Sequence, residues 1–300
     1  MKKKYSRLLN GKQPELNKKE SKALIHDITC DYFLQDLFEF LTQKKSLDII
    51  KYNNNMKKRI EIHINDYKEY SQNYSSIEIE IIPANNKYGR FINYKKEEEI
   101  YYHIYFNNNN KEEIKRNYLN RVDKVNIINI MIDYHVKSFR NLFDKCECIE
   151  SINFKIFNRD NINNMSGMFY RCSSLKEIKF SNFNPVNVVD MAGMFSYCTS
   201  LEKLDLSNFN TNKLTNMWCM FSDCASLKEV NLSNFNTNKV TNMGFMFSRC
   251  PELEELNLDN FSINSSINTK GIFYGCSKEF IKKIKTQYKD IKEIAFINIF

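Results

Sequence analysis

Cysteine and histidine are the residues of this 300-residue chain best suited to chemistry, and their spacing decides what they can do. Cys172, Cys198, Cys224, Cys250 and Cys276 recur every 26 residues, a spacing that would line up thiols as a string of metal ligands. Each of them, however, closes a run such as Met217-x-x-Met220-Phe221-x-x-Cys224, so it shares an apolar face with Met and Phe, with no His or Asp on that face. A small buried hydrophobe is the ordinary role of such a thiol. Cys146 and Cys148 form a C-x-C, but Cys146 already belongs to that apolar column and leaves Cys148 without a second ligand. His26, His63, His103 and His135 are scattered, and none stands at zinc spacing from a cysteine. The sequence contains no phosphate loop, no G-x-S-x-G and no H-E-x-x-H. No metal, cofactor or catalytic group is therefore expected, and an accessible thiolate at Cys219 or Cys148 would be the sign to the contrary.

The elements that hold these thiols are copies of one unit, of which LEKLDLSNFNTNKLTNMWCMFSDC (201–224) is the clearest. Methionine recurs at 165, 191, 217 and 243, and phenylalanine at 169, 195, 221, 247 and 273. A fixed period of this size marks supersecondary units stacked on one another. Within the unit, Leu204 and Leu206 alternate with Lys203 and Asp205, a short strand that sends leucines inward and charges outward. Residues 208–212 then carry turn chemistry around Phe209, whose equivalents are Phe157, Phe183, Phe235 and Phe261. Asn182, Asn208, Asn234 and Asn260 form a column placed to hydrogen-bond the turns of adjacent units. Thr215 or Asn216 is positioned to cap a short helix on which Met217, Met220, Phe221 and Cys224 fall at i, i+3, i+4 and i+7. The fold class expected is α/β, a solenoid of 26-residue strand-turn-short-helix coils over 138–276. In such a stack Phe221→Ala costs roughly 3–5 kcal/mol, and the same change in the last coil, at Phe273, costs less.

Around the repeats the chain divides into four further parts. Residues 1–20 read as a flexible basic tail. Residues 21–72 read as a helical module, with Leu34, Leu37, Phe38 and Leu41 on one stripe. That module, through Ile28, LQDLFEFL (34–41) and LDIIKY (47–52), faintly resembles an F-box, which docks on the Skp component of ubiquitin ligases. Residues 73–137 form a β-rich linking region with strands at 76–83, 100–106 and 125–133, which are either degenerate early coils or a separate small sheet. Residues 277–300 hold a capping helix at 278–288, apolar at Phe280, Ile281 and Ile284, and a tail.

Composition narrows the partners. The net charge is +8, but its excess sits largely at the ends, at 2–19 and 278–292, and is mostly Lys, so nucleic-acid binding is not expected. No apolar run approaches the roughly 20 residues of a membrane span, and no signal peptide is legible, so a cytoplasmic chain without membrane insertion is expected. On the strands, Glu150, Lys176, Glu202, Lys228 and Glu254 alternate in sign, as a self-neutralising ladder would. The adjacent outward positions, Glu177, Lys203, Glu229 and Glu255, together with Asp205, Asn231 and Asn257, are the candidate protein contacts on the concave side. Trp218, Phe245 and Tyr197 are the candidates on the convex side.

The run NMWCMFSDCASLKEVNLSNFNTNKVT (216–241) resembles the BspA-like leucine-rich repeat of bacterial surface proteins, mycoplasma lipoproteins and protist surface proteins. The resemblance covers about 138–276 and implies a right-handed leucine-rich-repeat solenoid acting in adhesion, matrix binding and cell–cell contact, with no catalytic residues carried over. It implies a cell-surface setting, whereas the chain's own letters imply the cytoplasm. The function expected is a non-enzymatic protein-interaction scaffold, with surface adhesion as the role the family suggests. The alternative is an intracellular adaptor whose N-terminal helices recruit a ubiquitin-ligase component while the repeats bind a client.

Overall fold

Alternation of isoleucine with glutamate sets the first strand. Ile77, Ile79 and Ile81 are buried while Glu78 and Glu80 stand on the opposite face. The computed structural model describes residues 77–297 apart from 134, 158, 182 and 263–266. The chain divides into two compact units, Met1–Gln72 and Asn73–Phe300. The tail and the F-box-like module expected at 1–72 lie outside the described residues.

In chain order the strands are β1 (Ile77–Pro83), β2 (Gly89–Arg90), β3 (Tyr102–Phe106), β4 (Tyr118–Leu119), β5 (Ile128–Ile132), β6 (Ile149–Ile156), β7 (Glu177–Phe180), β8 (Lys203–Asp205) and β9 (Glu229–Asn231), and helix α1 spans Lys278–Gln287. Five of the strands form one mixed sheet in the order β3-β5-β1-β6-β7, while β2 pairs with β4 and β8 with β9. The strands expected at 76–83, 100–106 and 125–133 are present as β1, β3 and β5. They are neither early copies of the repeat nor a sheet of their own. β1 pairs antiparallel with β6, the first strand of the repeats, and joins all three to it. An otherwise open edge of β6 is thereby covered.

The expected α/β leucine-rich-repeat solenoid of strand-turn-short-helix coils is not what forms. Among the described residues there are three small sheets, with β7 and β8 in different ones, and helix is limited to α1 and to 3₁₀ turns at Lys96–Tyr101 and Glu293–Ala295. None of the Met-x-x-Met-Phe-x-x-Cys runs is helical. The physical reason is a pair of left-handed residues in each run, four apart: Gly167 and Arg171, Gly193 and Tyr197, Cys219 and Asp223, Phe245 and Arg249, Gly271 and Gly275, all with φ between 53° and 76°. A left-handed residue stops an α-helix.

The chain instead makes a succession of tight turns. Met220 N donates to Met217 O at 3.2 Å, Ser222 N to Cys219 O at 3.1 Å, and Cys224 N to Phe221 O at 3.3 Å. The intervening N–H groups leave the run and reach the next repeat. Met217 N donates to Asn242 O (2.8 Å), Cys219 N to Gly244 O (2.9 Å), Phe221 N to Met246 O (2.8 Å) and Asp223 N to Ser248 O (2.8 Å). Apolar side chains spaced as on a helix therefore face one way without a helix beneath them.

Because the backbones are locked at this offset, equivalent side chains stack. Phe143, Phe169, Phe195, Phe221, Phe247 and Phe273 form a column of nearly parallel rings with centroid separations of 5.4, 5.4, 5.5, 5.2 and 6.0 Å. Phe157, Phe183, Phe209 and Phe235 form a second column. The last repeat is closed by the C-terminal segment, where Ile294 O and Ala295 O accept from Gly271 N and Phe273 N, both at 2.8 Å. Phe296 stacks on Phe273 at 5.6 Å, and α1, with Ser277 Oγ accepting from Phe280 N, buries Phe280 and Ile284.

Phe273 is thus enclosed rather than terminal, being 1% exposed between Phe247, Phe280 and Phe296. Phe221→Ala and Phe273→Ala should each lower unfolding stability by roughly 3–5 kcal/mol in urea titrations, and a loss at Phe273 of less than about 1 kcal/mol would contradict this packing. Lys145 is exposed and left-handed, with φ 57°. A non-glycine residue in that conformation costs roughly 1–2 kcal/mol, so Lys145→Gly should raise the thermal midpoint and Lys145→Val should lower it.

Candidate binding surface

On the strand side, Glu177, Lys203, Asp205, Glu229, Glu255 and Asn257 are exposed and Asn231 is half-buried. Two of these charges pair with each other and a third is paired with a lysine outside the set. Lys203 Nζ lies 3.0 Å from Glu229, and Lys179 lies 3.1 Å from Glu177. The alternating column closes as separate pairs, Lys176 with Glu150 at 3.0 Å and Lys228 with Glu202 at 2.9 Å. The hydrogen bond from Lys228 holds the Glu202 carboxyl below the usual range, and the bond to Glu229 raises the Lys203 ammonium.

Asp205, Asn231 and Asn257 serve the backbone. Their Oδ1 atoms accept from Ser207 N at 2.9 Å, Ser233 N at 3.1 Å and Asp259 N at 2.8 Å, turning the chain out of each strand position. The structure brings Lys203, Glu229 and Glu255 side by side through β8–β9 pairing and the Glu229–Glu255 bridge. It leaves Glu177 in the other sheet.

The turn side is built differently. Asn164, Asp190, Asn216, Asn242 and Asn268 bridge one another in a parallel ladder. Each Oδ1 accepts from the N–H two residues on, including Trp218 N at 3.2 Å and Gly244 N at 3.1 Å. Trp218 O in turn accepts from Gly193 N at 2.8 Å, so the Trp218 backbone is held by its own repeat and by the preceding one. Its side chain is 46% exposed. Equivalent positions in the adjacent repeats are Ala192 and Gly244, neither of them aromatic.

Phe245, in the next repeat, is half-buried, with its ring across Gly271, where an added Cβ would meet Cε1 at 2.6 Å. In the preceding repeat Tyr197 meets Tyr170 edge-on at 5.6 Å. The Arg171 guanidinium lies 5.2 Å from the Tyr170 ring and 5.1 Å from that of Tyr197. Tyr170 and Arg171 were not among the residues predicted from sequence. In the amide column, Asn234 Nδ2 donates to Ser207 O at 2.7 Å and Asn260 Nδ2 to Ser233 O at 2.5 Å, as expected, while Asn182 lies outside the described residues.

The thiols face inward. Cys172, Cys198, Cys224, Cys250 and Cys276 are buried, and each Sγ donates to the carbonyl of a phenylalanine in the preceding repeat, at 3.0, 3.1, 3.0, 3.0 and 3.2 Å. Burial pushes Cys224 and Cys276 up to about 12. Burial likewise pushes Cys148, which donates to Arg90 O at 3.1 Å, up to about 11, and Cys219 up to about 12. Neither is a thiolate at neutral pH. Among the described residues no group of three His, Cys, Asp or Glu is placed to hold a metal ion.

The described repeats thus stack with a polar strand side and an aromatic turn side. The family described as "Mycoplasma protein of unknown function, DUF285" matches residues 137–231 and 229–296, more than half of the chain, and the chain belongs to that family. No curated protein and no solved structure matches it. Among the described residues no helix is long and apolar enough to cross a membrane.

The inward thiols set an alkaline limit. Burial raises their folded pKa values above the ordinary thiol value of 9.0, so their contribution to stability is full below pH 9 and is lost as pH rises towards the folded values, which for Cys224 and Cys276 are about 12. Unfolding free energy should therefore fall above pH 9, by up to about 1.4 kcal/mol per pH unit for each such thiol. Cys198→Ala with Cys224→Ala should flatten that slope in urea titrations across the alkaline range; an unchanged slope would contradict the assignment.

Proposed function

We propose that this chain is a non-enzymatic protein-interaction scaffold whose partner docks on the turn side around Trp218. The observation that carries the reading is an indole 46% exposed on a backbone fixed by hydrogen bonds on both sides. Tryptophan, tyrosine and arginine dominate the energetics of protein interfaces, and a rigid display spares the ordering cost of binding. Phe245 in the following repeat, and Tyr197 in the preceding one with Tyr170 and Arg171 one repeat further back, extend the aromatic surface. The strand side is the weaker candidate, because Lys203 is paired with Glu229 and the Asn231 and Asn257 amides hold turns. Resemblance of 216–241 to BspA-like repeats of surface proteins, within a family of Mycoplasma proteins, supports adhesion as the setting of that contact.

Two experiments test this. Trp218→Ala should keep the thermal midpoint within about 0.5 kcal/mol of unfolding stability, as exposed substitutions do, while weakening partner capture tenfold or more. Capture that survives Trp218→Ala would remove the turn side as the interface. For the adhesion role, an epitope-tagged chain in its native cell should lose the tag when intact cells are treated with protease; protection until lysis would rule that role out.

A further inference from the structure

A cavity of about 460 Å³ opens on the five-stranded sheet, with Ile79 and Ile130 in its lining beside the polar residues. Strand register builds its floor: Tyr105 stands opposite Asn129, Asn129 opposite Glu80, and Met131 opposite Glu78. The loop after β3 builds one wall. Asn107 and Asn108 are both left-handed, with φ 53° and 60°. The Asn107 side chain pins the loop by accepting from Asn126 N and donating to Lys124 O, both at 2.8 Å. Asn108 Oδ1 then accepts from Asn129 Nδ2 at 2.8 Å, which brings Asn108 and Asn110 to the rim. Lys155 closes another side and is ion-paired with Glu80.

This lining selects a ligand by its chemistry. Glu78 places negative charge at the cavity, and the one ammonium in its lining, that of Lys155, is already engaged by Glu80 beside it, so an anion finds its one cation paired. Three asparagine amides each donate and accept, Glu78 accepts, and Tyr105 offers both a hydroxyl and a ring face. Their complement is a ligand whose polar groups also donate and accept and whose carbon skeleton presents an apolar face. The volume is that of a small-molecule site. We propose that this cavity binds a neutral saccharide of one or two rings.

The full chain should be titrated calorimetrically with glucose, galactose, N-acetylglucosamine and lactose, and with inorganic phosphate as the anionic probe. At least one sugar should bind with a millimolar Kd that molar sodium chloride leaves unchanged. Tyr105→Ala should abolish that binding, and Asn110→Ala, at an exposed loop position that leaves the sheet intact, should weaken it at least about fivefold. The proposal is overturned if none of the four sugars binds, if binding survives both substitutions, or if phosphate binds in their place.

Discussion

The constraint on which the repeats depend is a pair of left-handed residues four apart in each run. Each one ends a turn and re-aims the backbone, so that alternate N–H groups cannot find an acceptor within their own run. Those groups donate to the following repeat instead, as Met217, Cys219, Phe221 and Asp223 do. Stacking is therefore written into the main chain of the turns. The strand pairings, only three or four residues long in β7, β8 and β9, add to it.

From that offset the core follows. A ring at one position must face its equivalent one repeat away, which yields the parallel phenylalanine column and the row of thiols donating to phenylalanine carbonyls. A stack of this kind leaves backbone groups unsatisfied at both ends. At one end β1 supplies an antiparallel neighbour to β6, and at the other the Glu293–Ala295 segment supplies carbonyls to Gly271 and Phe273. Two unlike pieces of chain solve the same hydrogen-bonding problem.

What was legible in the sequence were features whose side-chain period belongs to one structure alone. Alternating isoleucines in β1 and β5 admit only a strand, and Phe280 with Ile284 after a capping Ser277 marks a helix. The Met-x-x-Met-Phe-x-x-Cys run carries a helix's apolar spacing without forming one, because successive four-residue turns share that spacing. Its signal was the glycine at 167, 193 and 271, a residue that favours positive φ and is disfavoured inside helices. Cys219 and Phe245 mask that signal by taking the same conformation without being glycine. Asp205, Asn231 and Asn257 alternate outward as contacts would, yet a short polar side chain at a strand end is also an acceptor for the N–H two residues on. Arg171 escaped because its partners, Tyr170 and Tyr197, are brought together only by the stack.

Trp218 shows how the same constraint generates a surface. Its neighbours Met217 and Met220 are fully buried, so the turn geometry fixes the indole outward whatever its chemistry. Nothing in the stack's own packing calls for an indole there, since Ala192 and Gly244 occupy the equivalent positions within the same architecture. Removing a side chain of this size from water releases roughly 1.5–3 kcal/mol, a gain the isolated chain forgoes over much of the ring and a partner can collect. The Asn216 side chain and the Gly193 N–H keep the backbone beneath the indole from yielding. A backbone held from both sides beneath one exposed aromatic is the physical basis for proposing an interface on the turn side.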